Sequence, residues 1–315
     1  VFNYVFTEKV FKSIFSIITV GIDQLSIDLE GGEAQLHLIE LAVSVLDRVL
    51  EHQATYIEEF VPVLKTNRID QFFIPQDVGL HGLRNFYDAL FFNLTVIAHI
   101  GLYVGVDYHN LAVTSLSILD KLTLPTIVSP PEYSISSKVF AMLDSVDESS
   151  RIKDAFISQL ESSIDSAEDL ALKVKILRFI NERLFYGSDE PTVSHLLLGF
   201  QVSNIVTCGP DLSTFISSGS SVLNTIATLL VSSLNMVDRN AINFAPMRLA
   251  CLSMEILLKL CRNPLTSDLV FEYLQKLDLF ETLIKLDPNV TNFTMWNGQC
   301  FDTSSSNDGK AFLET

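Results

Sequence analysis

The sequence predicts an all-α fold, an irregular solenoid of stacked helix pairs. Apolar residues recur at helical spacing along most of the 315 residues, several helices carry apolar residues on two sides, and no run of strand-like alternation is long. A helix that is apolar on two sides needs neighbours on both, which a single helix pair does not provide. We expect one continuous segment over residues 1–315, with a polar loop near 302–309.

The first half of the chain carries apolar stripes separated by short breaks. The predicted helices of this half are 2–15, 39–50, 54–64, 83–97 and 108–122. The second of them follows Gly31 and Gly32 and forms a hairpin-like pair with the third. The first has no polar cap, so we expect an internal segment of a longer superhelix.

Residues 89–106 carry no charge, which is long enough for a membrane span to be considered. Asn93, Thr95 and His99 interrupt this stretch. The apolar residues from Leu83 to Ile97 follow the i, i+3, i+4, i+7 spacing of one face. This pattern favours a buried helix of a protein without a transmembrane segment.

The second half repeats the two-sided pattern. Its predicted helices are 138–145, 150–160, 167–186, a short helix that ends near residue 198, and 246–261. Ser166 and Asp169 form a capping box, and Asp169 and Lys173 are spaced as an i, i+4 ion pair.

The helix after Pro246 carries two apolar stripes. They leave only Arg248, Glu255 and Lys259 as a narrow wet strip. Helix pairs recur about every 40 residues, as in HEAT or armadillo arrays, which predicts roughly seven or eight irregular repeats.

The chain is acidic, with 21 Lys and Arg against 38 Asp and Glu and a net charge of -17. Such a charge repels phosphate backbones, so direct binding of nucleic acid is not expected. The mean hydropathy of +0.33 indicates that more surface than usual is covered. Four widely spaced cysteines without a CxxC pair favour a reducing compartment.

Motifs for catalysis or cofactor binding are missing from the sequence. The six histidines form no HExxH, and there is no GxSxG elbow, GxGxxG fingerprint or phosphate loop. His99 is interpreted as a packing residue, 217–221 as a bend and the acidic positions 144–154 as a helix junction. We therefore nominate no catalytic, cofactor-binding or metal residue, and we expect no cofactor and no enzyme activity.

Two aromatic pairs could line a groove for a partner peptide, although core packing is the stronger interpretation for each ring. These are Phe72 with Phe73, and Phe91 with Phe92.

The segment from Glu190 to Phe200 reads Glu-Pro-Thr-Val-Ser-His-Leu-Leu-Leu-Gly-Phe. It resembles a signature of the large inner-ring scaffold nucleoporins, the nucleoporin 192 / nucleoporin 205 family, in its fungal branch. The helix at 176–180 and the run 261–274 support the resemblance. Physically, His195 to Phe200 is typical of a helix that ends in a C′ glycine with a hydrophobic contact beyond it.

The resemblance implies a scaffold segment of the inner ring of the nuclear pore complex, in the nuclear envelope. It implies binding to short linear segments of linker and adaptor nucleoporins, contacts with phenylalanine-rich repeats or transport receptors, and support of protein and mRNA transport. The alternative is a soluble receptor of the importin-β type, an acidic HEAT solenoid that binds basic cargo and phenylalanine-rich repeats.

Overall fold

The structure, a computed structural model, describes residues 8–20, 32–60, 86–123, 148–184, 191–200, 221–238, 247–286, 295–296 and 299–300. The chain divides into two compact units, Val1–Tyr133 and Ser134–Thr315. In each unit the described elements are layered helices, apart from one short two-stranded ladder. The predicted all-α class is confirmed, and the single continuous solenoid over residues 1–315 stays a prediction.

The described part of the first unit contains five α-helices. They are α1 (Glu8–Ile18), α2 (Gly32–Thr55), α3 (Phe86–Phe91), α4 (Leu94–Tyr103) and α5 (His109–Leu122), with a π-helical turn at Tyr56–Phe60 after α2. Both α2 and α4 pack against α1, α3 and α5. Helices α1, α3 and α5 therefore link α2 and α4 within this unit.

Helix α2 buries the predicted apolar row, which includes Ile39, Val43 and Leu46. The predicted hairpin between 39–50 and 54–64 is wrong, because α2 runs without a break to Thr55 and directly into the π-helical turn. The residues between the two predicted helices are Glu51, His52 and Gln53, and none of them is a glycine or proline that would stop a helix.

The uncharged stretch at 89–106 is two helices instead of the single one predicted. Asn93 separates them: its backbone N–H donates to the Leu90 carbonyl (2.8 Å) and its side-chain amide donates to the Ala89 carbonyl (2.7 Å). An asparagine that bonds nearby carbonyls in this way competes with helix continuation. Among the described helices, none is both long and apolar enough to cross a membrane.

Polar atoms tie the layers of the first unit together. Lys121 of α5 donates to the Asp47 carboxylate of α2 (2.9 Å), and Ser117 donates to the same oxygen (2.9 Å). The Tyr103 hydroxyl donates to the Ile18 carbonyl at the end of α1 (2.6 Å). Each bond joins elements far apart in sequence, so the apolar layers are fixed in register.

The described part of the second unit contains seven α-helices. They are α6 (Ser149–Glu161), α7 (Ala167–Glu182), α8 (Val193–Leu197), α9 (Val222–Asp238), α10 (Met247–Arg262), α11 (Ser267–Lys276) and α12 (Leu279–Leu286). Helix α10 packs against α7, α9 and α11, and α7 packs against α6, α8 and α10. The predicted two-sided covering of α7 and α10 is confirmed.

A small ladder follows the helices. β1 (Met295–Trp296) pairs antiparallel with β2 (Gln299–Cys300), and Met295 lies opposite Cys300. The sequence does not reveal this ladder, because two residues per strand are too few to show alternation. Several earlier predictions lie wholly or partly outside the described residues: the helix at 138–145, residues 217–220 of the bend, residues 144–147 of the acidic stretch and the polar loop at 302–309.

The capping box of α7 is confirmed, because the Asp169 N–H donates to Ser166 Oγ (3.1 Å) and the Ser166 N–H donates to Asp169 Oδ2 (2.8 Å). Lys173, which is spaced to pair with Asp169, is only 1% exposed. Its ammonium donates to the carbonyls of Gln159 (2.9 Å), Leu160 (2.7 Å) and Ser162 (2.6 Å). Lys173 thus caps the C-terminus of α6, where unpaired carbonyls attract a cation.

The predicted wet strip on α10 is wrong at Glu255 and Lys259. The Asn181 side chain on α7 donates to Glu255 Oε2 (2.6 Å), and Lys259 Nζ donates to the Asn181 carbonyl (2.6 Å). Glu255 and Lys259 are partly buried. The polar strip of α10 therefore faces a second helix, which sequence periodicity alone does not distinguish from solvent.

We predict that Lys173→Met lowers the free energy of unfolding by about 3 kcal/mol, because three carbonyls at the C-terminal end of α6 lose their donor in a buried place. Urea unfolding measures the change. Lys175→Met is the matched control, since Lys175 is exposed on the same helix, and it should change stability by less than about 0.5 kcal/mol. Equal losses in the two variants would contradict the assigned cap.

A double-mutant cycle tests the contact between α7 and α10. Asn181→Ala and Glu255→Ala should show a coupling energy of about 1 kcal/mol in urea unfolding, because each residue satisfies the other away from water. Arg178→Ala replaces Asn181→Ala in the control cycle, and Arg178 is exposed on α7. Additive losses in the first cycle would show that the contact contributes nothing.

Candidate interaction surface

Three potentially reactive side chains in the described residues, His99, His37 and Cys251, have local partners. His99 Nδ1 donates to the Thr95 carbonyl (2.7 Å), and His37 Nδ1 lies 3.0 Å from Glu40 Oε2. Cys251 is buried, and its thiol lies 3.6 Å from Glu255 Oε1. Within the described ranges, no three His, Cys, Asp or Glu residues are grouped so that they would hold a metal ion.

The segment that carries the family resemblance is a tight corner. Helix α8 ends at Leu197, and Gly199 adopts a positive φ of 101°. The Phe200 N–H donates to the His195 carbonyl (3.0 Å) and the Gly199 N–H donates to the Leu196 carbonyl (3.1 Å). These bonds form a Schellman motif, which confirms the predicted C′ glycine and the hydrophobic contact beyond it.

The His195 side chain contacts residues at both ends of this corner. Its ring lies 5.9 Å from the Phe200 ring, and its Nδ1 accepts from the Thr192 N–H (3.0 Å) at the start of α8. Because Nδ1 is an acceptor, the ring is neutral with its proton on Nε2. Burial lowers the pKa of His195 to about 4, since a charged imidazolium would lose its hydration. Ser194 fastens the corner to α7 by donating to the Ile180 carbonyl (2.8 Å).

An exposed apolar surface lies on α11 and α12, and we call it the aromatic patch. It consists of Phe271, Leu277, Phe280 and Ile284. The rings of Phe271 and Phe280 stack with centroids 6.1 Å apart and an angle of 24° between their planes. Phe271 is 47% exposed and Ile284 71% exposed. Large apolar side chains gathered in one exposed place are typical of a contact site.

The turn between the two helices positions the patch. Asp278 adopts a φ of 52°, a left-handed conformation that aspartate tolerates better than most residues. Its N–H donates to the Gln275 carbonyl (3.1 Å), and its own carbonyl accepts from the Thr282 N–H (3.0 Å). One residue therefore ends α11 and begins α12, and the short turn places Phe280 against Phe271.

Two further exposed apolar sites lie in the first unit. Leu38, Leu41 and Val45 form an i, i+3, i+7 stripe on α2. Phe92 is 79% exposed beside the break between α3 and α4, whereas Phe91 is partly buried. The two predicted groove residues Phe91 and Phe92 therefore differ in exposure. The other predicted pair, Phe72 and Phe73, lies outside the described residues.

The aromatic patch is not evident as a surface from the sequence. The available signal was the sequence of α12, Leu-Phe-Glu-Thr-Leu-Ile-Lys-Leu, which is apolar on more than one side of a helix two turns long. Leu279 is buried, while Phe280 and Ile284 point away from the core. Periodicity showed an amphipathic helix without showing which apolar row is covered.

The described residues define a class of protein. Helices are covered on two sides, polar atoms join the layers, and some exposed side chains form apolar surfaces suited to protein contact. Such an arrangement is that of a helical scaffold.

The scaffold is of a particular kind. A family model described as nuclear pore complex scaffold, nucleoporins 186/192/205, matches residues 1–315. The chain belongs to this family. It is 24% identical to nucleoporin NUP192 of Chaetomium thermophilum over 316 aligned residues, and 22% identical to nucleoporin nup186 of Schizosaccharomyces pombe over 278.

The two alignments cover 95% and 86% of this chain but only 18% and 16% of the relatives. The chain thus spans less than a fifth of their length. The fungal resemblance seen at Glu190 to Phe200 is confirmed and extends over the first half, where the sequence analysis had only a helical pattern. The matches are to scaffold nucleoporins and give the transport-receptor alternative no support.

We predict a pH dependence from His195. Its folded pKa of about 4 lies below the ordinary value of 6.5, so the unfolded chain binds the extra proton first. The contribution of this residue is complete above about pH 6.5 and falls by about 3 kcal/mol as the pH drops to about 4. Urea unfolding at several pH values measures the slope.

His195→Asn keeps an acceptor for the Thr192 N–H without a titrating ring, so it should flatten this slope. Phe200→Leu removes the ring contact and keeps the histidine, so it should lower stability and retain the slope. If His195→Asn showed the wild-type acid loss, another group would be responsible.

Proposed function

We propose that the chain is a structural segment of the inner ring of the nuclear pore complex, where it forms one continuous α-solenoid and holds short linear segments of other nucleoporins. The observation that carries this proposal is the family match over the whole of residues 1–315. In this role the segment acts by binding and supports nucleocytoplasmic transport without catalysing a reaction.

Hydrogen bonds between helices of the second unit support the proposal, because they hold the helices in fixed positions. Lys173 ties α6 to α7, Asn181 ties α7 to α10, and Thr225 of α9 donates to Glu161 at the end of α6 (3.0 Å). Each tie places polar atoms between apolar layers, where a mismatched register would leave them unpaired. A surface held in this way binds a flexible segment without first ordering itself, which lowers the cost of association.

Linker and adaptor nucleoporins are the proposed partners, and phenylalanine-rich repeats or transport receptors are further candidates. The acidic charge of -17 suits segments with basic residues. We place the chain at the nuclear envelope as part of a longer protein, since its relatives are more than five times the length that it covers.

The experiment uses the full-length protein with a fluorescent and affinity tag at its natural locus. The expected result is a nuclear rim signal that recovers over hours after photobleaching, and co-purification of nucleoporins in near-stoichiometric amounts. A free fluorescent protein is the control. Exchange at the rim within seconds, or purification of the protein without nucleoporins, would contradict a scaffold role.

A further inference from the structure

The aromatic patch lies in an acidic setting. Residues 267–286 contain four carboxylates and two lysines. Both lysines already bind carboxylates one helical turn away: Lys276 lies 2.9 Å from Glu272, and Lys285 lies 2.7 Å from Glu281. The rim of the patch is therefore net negative, and a partner that docks there gains by bringing positive charge.

The backbone around the patch restricts the conformation of its occupant. Residues 267–286 are helical apart from the turn at Leu277 and Asp278, so the patch presents no strand edge. A segment that buries its own backbone against these rings must satisfy its own hydrogen bonds. A helix does so, and its apolar residues at i, i+3, i+4 and i+7 match a surface built from two helices.

The ring geometry adds a second preference. Phe271 and Phe280 stack and are both exposed, so parts of their faces and edges meet solvent. A guanidinium or ammonium group over an aromatic face is attracted by the ring quadrupole. A cation on the partner can thus contact a ring and a carboxylate of the rim together.

We propose that the aromatic patch binds a basic amphipathic helix of another nucleoporin, with aliphatic side chains against Phe271, Phe280 and Ile284 and with Lys or Arg facing the carboxylates of the rim. This inference rests on the proposed function for the identity of the partner. The chemistry of the occupant rests on the patch alone.

Photo-crosslinking in cells tests the proposal in the full-length protein. p-Benzoylphenylalanine replaces Phe280, and mass spectrometry identifies the crosslinked peptide. The expected product is a nucleoporin segment with apolar residues at helical spacing and more Lys and Arg than Asp and Glu. The same crosslinker in place of Phe92 is the control and should not give this product.

The outcomes separate the two proposals. A product within the same chain, with a second copy of it, or with an acidic segment would overturn the inference and leave the scaffold role standing. A basic amphipathic segment of a protein outside the pore would support the binding chemistry and contradict the proposed function.

Substitutions give an independent measure by crosslinking from a reporter at position 271. Phe280→Ser with Ile284→Ser should lower the crosslink yield to the same segment about tenfold, because two apolar anchors are lost. Phe92→Ser, at an exposed phenylalanine of the other unit, should leave the yield unchanged. Matching thermal unfolding curves would show that the variants fold, and an unchanged yield in the double variant would overturn the proposal.

Charge neutralisation tests the basic character of the partner. Asp268→Asn with Asp278→Asn keeps the left-handed turn, which asparagine tolerates, and should lower the yield about threefold. A yield equal to wild type would overturn the basic character proposed for the occupant.

Discussion

The structure depends on helices that are apolar on two sides. Helix α10 is the clearest case: Leu249, Cys251, Ile256 and Leu260 are all buried, and α7, α9 and α11 pack around them. A helix of this kind is not stable at a surface, because leaving its second apolar row in water forfeits roughly 1.5–3 kcal/mol per large side chain. Layering is the consequence, and each layer in turn exposes a face that another element has to cover.

Polar side chains between the layers decide which arrangement forms. Apolar rows tolerate sliding, whereas a buried lysine or asparagine has partners in only one register. Lys173 and Asn181 fill this role in the second unit, and Asp47 with Lys121 fills it in the first. The buried His195 is comparable at a corner, since one ring meets the Thr192 N–H and the Phe200 ring together.

Sequence reasoning succeeded where the signal is local. The capping box at Ser166, the glycine at 199 and the helix bounds of α5 and α6 follow from neighbouring residues. It failed where the partner is distant: Glu255 and Lys173 look like surface positions in the sequence, and only the packing of α7 against α10 and of α6 against α7 shows that each has a partner on another helix. The break at Asn93 was missed because the apolar spacing continues through it.

The same limit applies to function. The segment from Glu190 to Phe200 identified the family, although the hydrogen bonds described in it serve only to stabilise the two ends of α8. The aromatic patch could not be recognised in the sequence of α11 and α12, because the exposure of a side chain depends on how the helices of the unit pack. Leu279 and Phe280 are adjacent apolar residues in the chain, yet only the first is covered.

The burial of Lys173 also determines what can reach it. An ammonium group held by three carbonyls and 1% exposed is shielded from acylating reagents and from enzymes that modify lysine. Lys175, two residues along the same helix, is exposed. Labelling of Lys173 therefore requires α6 to separate from α7, whereas labelling of Lys175 does not. The ratio of labelling at the two lysines measures how often the second unit opens locally.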